Sequence, residues 1–189
     1  MYTEITSGDL DLSRKLITFA EAGDVSVVEL LLEVGDTFDD ELFQKAFYKA
    51  AQNGDFQVVE VLVDAGADVT ANNNAALQMA SSNGHFQVVE VLVDAGANVT
   101  ANNNTAIRNA AKNGYFQVVQ LLIQAGADIT YRYNETLQIA SSYGYTEIIQ
   151  LLLDAGVDIT IENNKALRIA SRNGQAEVVK LLLDAGTAL

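Results

Sequence analysis

The sequence predicts an all-α fold, a solenoid of six helix-turn-helix repeats joined by short loops. Three observations carry that expectation: apolar residues keep helical spacing, glycines recur in pairs at a fixed interval, and each pair brackets one apolar face. The stretch from Asn74 to Val99 displays the unit. Leu77, Ala80 and Ser81 stand at i, i+3 and i+4, one face of a helix. Asn74 stands just ahead of that face, where its side-chain oxygen can cap a first-turn N–H. Asn83-Gly84 interrupts the pattern, because glycine adopts the positive φ of a tight turn without steric cost. Val88, Val89, Val91, Leu92 and Ala95 make a second face, and Gly96 closes it where a helix end wants a left-handed residue.

The unit recurs down the chain. Turn glycines stand at Gly23, Gly54, Gly84, Gly114, Gly144 and Gly174, and closing glycines at Gly35, Gly66, Gly96, Gly126, Gly156 and Gly186. Each pair is 12 residues apart; successive units are spaced by 31 residues once and by 30 thereafter. One such unit cannot bury its apolar face alone, so neighbours must stack.

Taken in order, residues 1–12 read as a polar lead-in and 13–189 as one repeat domain, with repeats at about 13–38, 39–70, 71–100, 101–130, 131–160 and 161–189. Ser13 is the expected first N-cap. In repeats two to six the residues eight and four before the turn glycine are small: Ala46/Ala50, Ala76/Ala80, Ala106/Ala110, Thr136/Ala140 and Ala166/Ala170. Small residues one turn apart let neighbouring helices approach closely. The first repeat has Lys15 and Phe19 there, which marks it as an N-terminal cap. An acidic link, Asp36 to Glu41, holds the one extra residue. The last second helix carries Val178, Val179, Leu181, Leu182 and Leu183, with no polar cap, and repeats two and three are nearly identical across 56–74 and 86–104, so a structural or designed consensus-like repeat array that self-associates through its C-terminal repeat, a homo-oligomer, is the alternative expectation.

Composition narrows the function. The net charge of −14 makes nucleic acid a poor partner, because binding it requires phosphate neutralisation. There is no cysteine, hence no disulfide frame and no thiolate metal site. Residues 1–10 have no basic start or apolar run of a secretory signal, and no apolar stretch reaches membrane-spanning length, so no membrane partner and a cytoplasmic location are expected. Glycosylation-type triplets at Asn98, Asn103 and Asn134 read as chance without such a signal. No Ser/His/Asp order, metal-ligand cluster or phosphate loop appears, so no enzyme, cofactor or metal is expected.

The string from Gly84 to Val99, GHFQVVEVLVDAGANV, resembles the second half of an ankyrin repeat, as do the glycine spacing and endings such as Ala67-Asp68-Val69 and Ala127-Asp128-Ile129. The resemblance covers residues 13–189. The period is 30 rather than the family's longer one, and Ala75-Ala76-Leu77-Gln78 replaces the family's T-P-L-H start; this form is similar to ankyrin repeats abundant in giant DNA viruses, which implies a host-cytosol location. The missing Thr and His put the usual inter-repeat hydrogen bonds in doubt, and the shorter loop does the same for extended hairpin fingers. The resemblance implies a module that binds a protein partner on its first helices and loops, and a structural role for His85.

The residues give that surface a character. On the first helices and loops of repeats four to six, Arg108, Lys112, Arg132, Lys165, Arg168 and Arg172 face Glu135 and Glu162, whereas the second helices carry acids before most closing glycines. A locally basic face on an acidic chain suits a partner with an acidic surface. Five of seven tyrosines cluster there: Tyr115, Tyr131, Tyr133, Tyr143 and Tyr145. Tyr and Arg supply large contact area with a polar handle and dominate binding hot spots. The expected partner-binding set is therefore Tyr131, Arg132, Tyr133, Tyr143, Tyr115, Arg108, Lys112, Gln138, Ile139, Arg168 and Arg172. Ile139 shares its position with Met79 and Ile169, a row expected as half-buried wall.

Overall fold

The computed structural model describes residues 7–35 and 37–187, and not the side chains of Ser7, Tyr133, Asn163 and Thr187. Among the described residues there are helices and turns but no strands. Six first helices alternate with six second helices: α1 Ser7–Glu21, α2 Val25–Val34, α3 Asp40–Asn53, α4 Phe56–Asp64, α5 Ala71–Asn83, α6 Phe86–Asp94, α7 Ala101–Lys112, α8 Phe116–Gln124, α9 Tyr131–Tyr143, α10 Thr146–Asp154, α11 Ile161–Arg172 and α12 Ala176–Thr187.

The contacts divide the described chain into two compact units, one ending at Asn98 and the other beginning at Val99. In the first, α1, α3 and α5 pack in a row, α2, α4 and α6 in a second row, and each first helix lies against its own second helix. In the second, α7, α9 and α11 repeat the first row and α8, α10 and α12 the second. The small-residue seam lies at the bottom of both stacks: Ala46, Ala50, Ala76, Ala80, Ala106, Ala110, Thr136, Ala140, Ala166 and Ala170 are all buried. Leu77, Leu92, Ile107, Leu122, Leu137 and Leu152 fill the space between rows. Lys15 stays exposed and Phe19 half-buried.

Each helix pair is hinged by its turn glycine. Gly54 takes φ +92°, and the helix-terminal Gly54 and Asp55 N–H groups donate to the Ala50 carbonyl. In four repeats the residue after the turn glycine, Asp55, His85, Tyr145 or Gln175, lies over the turn before it. A Cβ on Gly54 would stand 2.5 Å from His85 Nδ1, one on Gly23 2.6 Å from Asp55, and one on Gly114 2.9 Å from the Tyr145 ring. Both the left-handed backbone and the neighbour's side chain therefore require glycine. His85 Nε2 also meets the Gln52 carbonyl at 2.9 Å, where Asn83 Nδ2 donates too. Asn53 to Glu21 O and Asn173 to Ser142 O make the same bridge in other repeats. Burial under Gly23 pushes the Asp55 carboxyl above its usual range, with the charge of His85 pulling it back.

Two local expectations are corrected. Ser13 does not cap α1: the helix already runs from Ser7, and Ser13 is buried in its middle. Its hydroxyl donates to Asp9 O at 2.7 Å and accepts from the Asp39 N–H at 3.0 Å, tying α1 to the start of α3. Residues 1–6 of the expected lead-in, and Asp36 of the acidic link, lie outside the described residues. Asn74 does not cap a first turn either. Asn72, Asn73 and Asn74 all take positive φ, between 51° and 62°, so α5 opens with a left-handed turn before Ala75. Asparagine tolerates that region better than other non-glycine residues.

The left-handed turn aims the third asparagine inward. Asn74 Oδ1 accepts from the Asn98 N–H at 2.7 Å, and Asn104 Oδ1 from the Asp128 N–H at 2.9 Å, each in the loop that closes the same repeat. Gln44 makes the equivalent rung to Asp68 with both ends of its amide. Asn134 donates through Nδ2 to Asp158 O at 2.5 Å, leaving Oδ1 buried without a partner. These rungs tie each repeat's first helix to its own closing loop, while the bonds to the Glu21, Gln52 and Ser142 carbonyls join one repeat to the next.

The loops carry an aspartate clamp. Asp68 Oδ1 accepts from Thr70 N–H at 2.8 Å and Thr70 Oγ1–H at 2.7 Å, and Asp158 does the same with Thr160. Chiefly the hydroxyl bond, then the backbone one, hold both carboxyls below their ordinary 3.8. The stability this contributes is present above the unfolded-state value and lost as pH falls through the lowered folded one. The gap in urea midpoint between the protein and its Asp68→Ala/Asp158→Ala variant should therefore be constant above about pH 5 and close on acidification. A gap that widens in acid contradicts the clamp.

Candidate functional site

All eleven expected contact residues belong to the second unit, on or next to its first helices. Helices α7, α9 and α11 lie side by side there, so residues 30 apart fall in rows. One row is Arg108, Gln138 and Arg168; the next is Asn109, Ile139 and Ile169; a third, one turn on, is Lys112, Ser142 and Arg172. Ile139 and Ile169 are half-buried between rows of polar side chains, while Met79, in the first unit, is more exposed.

Two of the six bases are spent inside the protein. Arg108 Nε stands 3.0 Å from Glu135 Oε2, its Nη2 donates to Oε1 at 3.4 Å, and Nη1 reaches the Asn103 carbonyl at 3.3 Å. Both side chains are about one-quarter exposed, so this fork helps join α7 to α9. Lys165 pairs with Glu162 one turn away at 2.5 Å. Glu135 and Glu162 are thus matched by bases, while the exposed loop carboxylates Asp128 and Asp158 accept hydrogen bonds from Thr130 and Thr160. Lys112, Arg132, Arg168 and Arg172 are exposed, and no ion pair joins them among the described residues. Gln138 is half-buried and bonded within the protein.

The tyrosines separate into two groups at opposite ends of α9. At the start, the Arg132 guanidinium lies 5.9 Å from the Tyr131 ring centroid. Arg132 holds φ +46°, a conformation that costs a side chain of its kind about 1–2 kcal/mol. Tyr133 follows them in sequence, and its side chain lies outside the described residues. At the far end, Tyr143 stacks on Tyr145 with centroids 5.8 Å apart and planes 11° from parallel. Tyr143 stands where four of the other five turns carry asparagine, is 49% exposed, and adjoins the Lys112, Ser142, Arg172 row. Tyr145 instead leans over Gly114, its hydroxyl 3.5 Å from the Lys112 carbonyl. Tyr115 is partly exposed at the start of α8. At 1.5 Å per residue the two groups are roughly 15 Å apart, so they make two patches rather than one centre.

The second-helix faces of the two units differ in a way that composition alone conceals. In the first unit, one turn separates Glu29 from Glu33, Glu60 from Asp64 and Glu90 from Asp94, with no base on α2, α4 or α6. The same positions in the second unit hold Gln120/Gln124, Gln150/Asp154 and Lys180/Asp184, and Gln150 Nε2 donates to Asp154 at 2.8 Å.

No helix among the described residues is long and apolar enough to cross a membrane. No group of three or more His, Asp and Glu that could hold a metal ion occurs among them.

A family model described as ankyrin repeats (3 copies) matches residues 50–133 and again residues 107–189. No curated protein matches the chain.

Proposed function

We propose, from the premise that the chain belongs to the ankyrin-repeat family, that its first-helix surface in the second unit binds an acidic surface of a protein partner. Ankyrin repeats are protein–protein interaction modules and typically not enzymes; the choice of surface and partner charge is the step taken here. The observation that carries it is the excess of unpaired cations: Lys112, Arg168 and Arg172 remain exposed after Glu135 and Glu162 have been matched. Ile139, Ile169 and Tyr143 beside them offer apolar and aromatic contact, the combination on which interface anchors depend. Arg132 and Tyr131 add a second patch at the loop end of α9.

The test is affinity capture from lysate of the source cell. Replacing Lys112, Arg168 and Arg172 together with Gln should reduce recovery of partner proteins at least tenfold. Undiminished recovery overturns the assignment.

One observation favours a second reading, self-association through the last repeat. Leu183 is 51% exposed beside a hollow of about 310 Å³ walled by Ile159, Leu167 and Leu182. Concentration-dependent mass in light scattering, abolished by Leu183→Lys, supports it; one mass at every concentration argues against it.

A further inference from the structure

The second-helix face of the first unit offers a different surface with opposite chemistry. Between α4 and α6 lies an open hollow of about 530 Å³ with Val61, Val91 and Ala95 on its floor and Glu60, Asp64 and Asp94 on its rim. Glu90 is exposed on α6, one turn before Asp94. The second unit has a comparable hollow between α8 and α10, of about 460 Å³, but Gln120 and Gln150 share its rim with Glu147 and Asp154. The comparable hollow thus carries two carboxylates beside two glutamines, whereas every polar side chain lining the hollow of the first unit is a carboxylate.

The acidic rim works against its own helices. Like charges four residues apart repel along a helix, and Glu60/Asp64 and Glu90/Asp94 repeat that arrangement with no cation near enough to pair. The second unit relieves the same positions with glutamine or lysine. A cationic ligand converts this repulsion into attraction, and steers its own approach.

We propose that the hollow between α4 and α6 is a docking site for a basic amphipathic helix of a partner protein. Apolar side chains of one helical face enter between Val61 and Val91, and flanking Lys or Arg residues meet the Glu60, Asp64, Glu90 and Asp94 carboxylates. This is the helix-in-groove mode, with anchors at i, i+3 and i+4 spacing. It is independent of the cationic surface of the second unit.

The test uses the full chain and a fluorescent 18-residue Leu/Lys amphipathic peptide, followed by anisotropy. The variant Glu60→Gln/Asp64→Asn/Glu90→Gln/Asp94→Asn should weaken binding at least tenfold. A variant that loses as many carboxylates elsewhere, Asp128→Asn/Glu147→Gln/Asp154→Asn/Glu177→Gln, should change it less than twofold. A Ser/Lys peptide of equal charge should bind at least fivefold more weakly than the Leu/Lys one. Thermal melts check folding, and the first variant should melt no lower than the parent because its repulsions are gone. Equal losses in the two variants, or equal binding of the two peptides, reduce the effect to bulk charge and overturn the proposal.

Discussion

Gly54→Ala is expected to cost about 3 kcal/mol or more, and Gly66→Ala about half as much. Both glycines hold positive φ, +92° and +99°, where a Cβ costs about 1–2 kcal/mol. They differ in what surrounds them. A Cβ at Gly66 meets nothing within 4 Å, while one at Gly54 runs into the His85 ring at 2.5 Å. The ring cannot retreat without giving up its bond to the Gln52 carbonyl, and overpacking of this kind adds roughly 1–3 kcal/mol. Urea unfolding of the two variants isolates the clash, since the backbone strain is common to both. The His85→Ala background should bring Gly54→Ala down to the cost of Gly66→Ala. Equal costs in the parent protein would mean the overlying side chain is not what excludes a Cβ.

Asn104→Leu should cost about 3 kcal/mol. The residue sits at φ +57° and is 4% exposed, with its Oδ1 on the Asp128 N–H. Leucine meets left-handed strain of about 1–2 kcal/mol. It also strands the Asp128 donor against the core, a further ~1–3 kcal/mol. Asn104→Gly separates the two, since it relaxes the backbone but supplies no acceptor, and should cost roughly half as much. If glycine and leucine cost the same, strain is negligible; if glycine is harmless, the rung contributes nothing.

Some of this was legible in the sequence and some was not, for reasons that lie in the range of each interaction. Helical spacing found the buried faces, and the alanine pairs found the seam, because both are local periodic patterns with one physical cause. The asparagine run was misread because asparagine is favoured both as an N-cap and in the left-handed region. Nothing nearby in sequence separates those uses; the deciding partner, the N–H 24 residues on, lies beyond the second helix in the loop that closes the repeat. Ser13 misleads in the same way. A serine that suits a helix start also suits a helix middle when its hydroxyl returns to the preceding turn, as it does to Asp9.

The surface was legible as composition but not as pairing. The excess of bases in repeats four to six could be counted, yet which of them remain exposed and unpaired follows from Arg108 reaching Glu135 across 27 residues. Tyrosines that cluster in sequence were read as one centre, and the length of α9 divides them. The acid pairs of α2, α4 and α6 were visible as a repeated acid before the closing glycine. Their contrast with Gln120, Gln150 and Lys180 acquires meaning only once the hollows they rim are seen.

The most direct test of the recognition surface is calorimetric titration of a captured partner against two charge-matched variants. Lys112→Gln/Arg168→Gln/Arg172→Gln and Gln120→Glu/Gln124→Glu/Gln150→Glu change the net charge equally, the first on the first helices and the second on the second helices. The account predicts at least tenfold weaker binding for the first and less than twofold for the second. Equal weakening, or a loss confined to the second, would contradict it.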